Sequence, residues 1–134
     1  MWKEPTQAIL SRHLSVDAAN LCLRYFEALK SVDEVGQGRG ALPDIVRGFS
    51  DLLTGYVGNK FYAEHRGALT PVMVLGIKSW LDAVDAAKNA ATDDDKVRVV
   101  MGRRAFHELA CACAMIEGKD TSTIRADLVS SMVL

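Results

Sequence analysis

An excess of either charge is the first thing this sequence lacks. Its 16 basic and 17 acidic side chains leave a formal net charge of -1, and the balance holds on both sides of Gly67, eight against eight before it and eight against nine after. Bulk charge therefore marks neither half as a nucleic-acid or membrane-surface module, which leaves only a local basic patch open. Cysteine is sparse and odd in number, with Cys22, Cys111 and Cys113. Together with the missing charged-then-apolar leader, this excludes a disulfide framework and sets the expectation of a reducing, cytoplasmic setting. Long hydrophobic runs are missing as well. The most apolar stretches, Val72 to Leu75 and Leu109 to Ile116, are too short to span a bilayer. No alternating strand pattern appears, nor any repeat of the size that builds solenoids.

What remains is an ordinary globular composition, 49% hydrophobic and 25% charged, with helical periodicity throughout. At 134 residues the chain suits a single domain, 1–134, that buries about two-thirds of its unfolded surface. From 16 to 34, Asp17, Asn20, Arg24, Glu27, Ser31 and Glu34 recur every three or four positions opposite Cys22, Tyr25, Phe26, Leu29 and Val32. Ser15 is placed to cap that helix and Gly36 to end it. A second helix is expected over 43–57, begun by Pro43, and a short segment over 59–66 between Gly58 and Gly67. Thr70 and Pro71 are expected to open a helix that runs to Ala91, with a polar stripe of Lys78, Asp82, Asp85 and Asn89. Thr92 and the carboxylates Asp93, Asp94 and Asp95 suit the start of the next, which is expected to continue unbroken to Gly118. A last helix is expected from about Ser122 to Met132. The fold class is all-α: a compact bundle of five to six helices, mostly antiparallel neighbours with short loops.

Two groups of residues are candidates for function. The loop Gly36-Gln37-Gly38-Arg39-Gly40 places three glycines at alternate positions, so backbone N–H groups can approach an anion beside Arg39. It follows a helix rather than a strand and lacks the Lys-Ser/Thr ending of a nucleotide loop, so a plain flexible connection is the first reading of it. The second group is a candidate interaction surface of Phe61, Tyr62, His65, Arg103, His107 and Cys111. His107 with Cys111 one turn on has the residue types of a nucleophile pair, but Arg-to-Glu spacings around it read as a solvated face or partner contact. Metal and cofactor are expected to be absent. Cys111 and Cys113 point about 200° apart on a helix, and no Glu-x-x-His pair exists.

The reading that follows is a non-enzymatic helical interaction or assembly protein, working through an apolar helix face on a protein partner or on a second copy of itself. The run Leu109 to Ile116 supplies the first surface to consider, as either subunit interface or bundle interior. A small-ligand or phosphate-binding domain using Gly36, Gly38, Arg39 and Gly40, possibly an enzyme, is the alternative. A DNA-binding helix-turn-helix over 43–66 comes third, because its second helix offers only Lys60, His65 and Arg66. Nucleic acid and membrane are not expected partners.

Overall fold

The computed structural model describes residues 3–36, 42–43, 46–48, 50, 58–88 and 91–131. These hold six helices: α1 (Lys3–His13), α2 (Val16–Gly36), α3 (Lys60–Lys88), α4 (Asp93–Arg103), α5 (Ala105–Ile116) and α6 (Thr121–Ser131). No strand occurs among the described residues, and the helices pack on one another as an all-α bundle. The helix expected over 43–57 lies largely outside the described residues.

α2 carries the centre of the core and touches α1, α3 and α5. Its apolar stripe of Ala18, Leu21, Cys22, Tyr25, Phe26 and Leu29 is buried, while Asp17, Asn20, Arg24 and Glu27 face water. Each large side chain so buried contributes about 1.5–3 kcal/mol. Ser15 starts the helix as its position suggests, its hydroxyl accepting from the Ala18 N–H at 3.4 Å. Its own N–H donates to Glu117 Oε1 at 3.0 Å, which ties the α1–α2 corner to the end of α5.

α1 is an addition to the helices that periodicity indicated. Ile9, Leu10 and Leu14 bury it against α2 and α6. His13 Nε2 lies 2.7 Å from Asp127 Oδ2, a contact that joins the first helix to the last.

α3 departs from expectation in its boundaries. Rather than a short segment followed by a helix starting at Pro71, one helix runs from Lys60 to Lys88 with Pro71 inside it. Gly67, whose carbonyl loses its helical partner to Pro71, and Pro71 itself are both exposed, a position where a missing helix bond costs least. The irregularity falls at His65 (φ -122, ψ 20). Thr70, expected as a cap, instead bonds Tyr62 Oη at 2.8 Å across that kink. The actual cap is Asn59: its Oδ1 accepts from the Tyr62 N–H and its Nδ2 donates to the Asp17 carbonyl, both at 2.8 Å, fixing the start of α3 on the start of α2.

α4 runs back along α3. Thr92 and Asp95 form a capping box, with the Asp95 N–H on Thr92 Oγ1 at 3.1 Å and the Thr92 N–H on Asp95 Oδ2 at 3.3 Å. Gly102 permits the close crossing: a Cβ there would overlap that of Ala83 and sit 2.7 Å from the Ser79 carbonyl oxygen. The helix expected to continue to Gly118 breaks at Arg104 (φ -83, ψ 0), which separates α4 from α5. α5 then ends where glycine suggested, with Gly118 in the left-handed region (φ 71) and the Lys119 N–H returning to the Ala114 carbonyl at 2.8 Å. Asp120 anchors the first turn of α6 by accepting from the Ser122 N–H at 2.9 Å. Ile124 and Leu128 are that helix's buried side chains.

Candidate functional site

α5 is buried on two sides, and the break at Arg104 sets which residues turn inward. Phe106 stacks on Phe26 of α2 with ring centroids 4.6 Å apart, and Cys113 meets Cys22 of α2 at 3.7 Å. His107 and Cys111, one turn apart, lie within the field of Arg125 on α6. His107, expected on a solvated or partner-contact face, is instead 1% exposed, while Cys111 is 5% exposed. The Glu108 carboxylate, expected to pair along its own helix, is held by Arg125 of α6 through contacts of 2.6 and 3.3 Å.

The electrostatics follow from this burial. Removal from water lowers His107 to about 4, with the positive charges of Arg104 and Arg125 adding to the effect, so the ring is neutral at pH 7. Its Nε2 and the Nε of Arg104 are both buried without a hydrogen-bond partner among the described residues. Burial pushes the Cys111 thiol up, against a smaller opposing pull from Arg125. A protonated thiol and a neutral imidazole, both shut away from solvent, lack the activation and access that nucleophilic catalysis needs.

The remaining candidates are dispersed. Phe61 is buried at the start of α3, its ring 4.8 Å from that of the half-buried His65. Tyr62 is half-buried and tied to Thr70. Arg103 is the last residue of α4, with its side chain outside the described set. Gly36 closes α2, while Gly38, Arg39 and Gly40 lie outside the described residues. The 59–66 segment proposed as a recognition helix is the opening of the much longer α3. Among the described residues no group of three His, Cys, Asp or Glu side chains could hold a metal ion.

The run Leu109 to Ile116 is spent on this chain's own core, with Leu109, Ala110, Cys113 and Ala114 fully enclosed and only Met115 strongly exposed. Exposed apolar surface collects elsewhere. Of the nine large hydrophobic side chains exposed among the described residues, five lie on the α3–α4 pair: Val74, Leu75, Leu81, Val97 and Met101. The sequence reading missed them because it placed a polar stripe on the outer side of α3. The available signal was the stretch Gly67 to Ile77, which carries no charged residue on any side of the helix. α3 is also long and apolar enough, by length and composition, to cross a membrane. Here its Leu69, Met73, Gly76 and Trp80 serve as a core face, and the helix packs on α2, α4 and α5.

The chain matches no family model, no curated protein and no solved structure.

Proposed function

We propose that this chain is a non-enzymatic helical assembly module that associates with a second copy of itself through the outer side of the α3–α4 pair. One observation carries the reading: Val74, Leu75, Leu81, Val97 and Met101 are each 45% exposed or more on two neighbouring helices. Among the described residues α4 packs on α3 with a small contact to α5. Leaving so much apolar surface in water is unfavourable, and covering it returns about 25 cal/mol per Å². Of the run Leu109 to Ile116, Leu109, Ala110, Cys113 and Ala114 are enclosed in the chain's own core and are not part of the proposed interface. The proposed setting is the cytoplasm, on the three free thiols.

The test is the solution mass by light scattering during size exclusion, at low and high salt, for the wild type and for Val97→Glu/Met101→Glu. The reading expects an oligomer that persists in high salt, because apolar contact is not screened, and a monomer of unchanged helical content for the variant. A monomeric wild type overturns self-assembly. An oligomer that survives both glutamates places its interface elsewhere.

A further inference from the structure

We propose that Cys22 and Cys113 form a modification site: a latent disulfide that a hydroperoxide closes, bonding α2 covalently to α5. The two sulfurs are 3.7 Å apart, in van der Waals contact, with both residues 0% exposed. They face each other across a helix contact that the adjoining Phe26–Phe106 ring pair also holds in register. Closing the bond brings the sulfurs from 3.7 Å to about 2.05 Å. Cys111 is not the partner. It lies two residues from Cys113, about 200° around the helix, on the side near Arg125.

The chemistry balances with one hydroperoxide per pair. Cys22 donates its S–H to Cys113, which leaves the Cys113 sulfur the better placed of the two to attack. That sulfur attacks the peroxide oxygen, the O–O bond breaks, and the Cys113 proton leaves with the departing oxygen as water or alcohol. Cys22 sulfur then attacks the sulfenic sulfur, the S–O bond breaks, and the hydroxyl departs as water with the Cys22 proton. Two thiols are oxidised and one peroxide bond is reduced. Both sulfurs are 0% exposed, so the peroxide reaches them only when the α2–α5 contact opens, and closure is slow and stoichiometric where catalysis would need ready access. The hydrogen bond to Cys113, then burial, also raises the Cys22 thiol well above its ordinary range.

The full chain is treated with hydrogen peroxide without denaturant, quenched with an alkylating agent, and mapped by mass spectrometry without reduction. Two of the three thiols should be lost, with Cys22–Cys113 as the dominant link, reversed by dithiothreitol and formed equally in Cys111→Ser. The thermal midpoint of the oxidised protein should rise by on the order of 10 °C, because the link constrains a long unfolded loop. A link through Cys111, a link between chains, sulfinic acid at either cysteine without a link, closure only in urea, or no closure at all would each overturn the proposal.

Discussion

Adding one methyl group at Gly76 should destabilise the protein, and removing one oxygen from Tyr25 should cancel the effect. Gly76 lies in α3, where alanine would ordinarily stabilise a helix by about 1 kcal/mol. A Cβ built there runs into the Tyr25 hydroxyl, with the ring Cζ at 3.4 Å and the Ala105 carbonyl oxygen at 3.6 Å. That hydroxyl cannot swing aside alone. It is rigid with its ring, the residue is 1% exposed, and it donates to the Met73 carbonyl at 2.7 Å. Gly76→Ala must therefore push the whole ring, losing a buried hydrogen bond worth about 1 kcal/mol and adding an overpacking cost of about 1–3 kcal/mol. After the helix gain, the net loss is about 2 kcal/mol. Tyr25→Phe alone should cost about 1 kcal/mol through the lost hydrogen bond, since the Met73 carbonyl lies within α3. In the Tyr25→Phe background the 3.4 Å contact to Cζ is ordinary packing, so Gly76→Ala becomes neutral or stabilising by up to about 1 kcal/mol. Urea unfolding of the four proteins, followed by helical circular dichroism, reads the coupling, expected at about 2–3 kcal/mol. An equal cost of Gly76→Ala in both backgrounds, or a stabilised single variant, would refute the reasoning.

Three further outcomes rest on separate contacts. Gly102→Ala should cost about 1–3 kcal/mol by urea unfolding, and Ala83→Gly should restore only part of it, since the Ser79 carbonyl oxygen at 2.7 Å stays in place; full restoration would mean that the backbone approach is unimportant. His107 is lowered to about 4 in the folded chain, so the unfolded state binds the extra proton first as pH falls. Its contribution is fully present above about pH 6.5 and is lost progressively toward pH 4, on the order of 3 kcal/mol, a slope that His107→Phe should remove. An unchanged pH profile of stability in that variant would assign the acid sensitivity to other groups. Thr92→Ala breaks the capping box of α4 and should lower stability by about 1 kcal/mol; no change in the urea midpoint would show that Asp95 alone suffices to hold the helix start.

Two of the departures between sequence and structure concern where helices break. A helix face is assigned by counting 100° per residue from a fixed origin, so the assignment survives only as far as the helix continues. α2 runs unbroken from Val16 to Gly36, and the inward positions Cys22, Tyr25, Phe26 and Leu29 read from it are buried, the side chain of Val32 lying outside the described ones. Arg104 is neither glycine nor proline, yet the chain breaks there, and His107, which the Arg and Glu residues around it assign to a solvated face, is buried beside Phe106. Pro71 carries the strongest sign of a boundary and marks none, because it and Gly67 are both exposed, where a missing helix bond costs little. Local chemistry thus says where a helix can break, and packing decides where it does. The caps at Ser15, Thr92 and Gly118 were legible because each is satisfied by backbone within a few residues. Asn59 depends partly on the Asp17 carbonyl, 42 positions away, and could not be read the same way. For the candidate interface the consequence is direct. Gly67 to Ile77 has no charged residue to turn toward water, so it must expose apolar side chains whichever phase is assumed, and packing makes them Val74 and Leu75 while burying Leu69 and Met73.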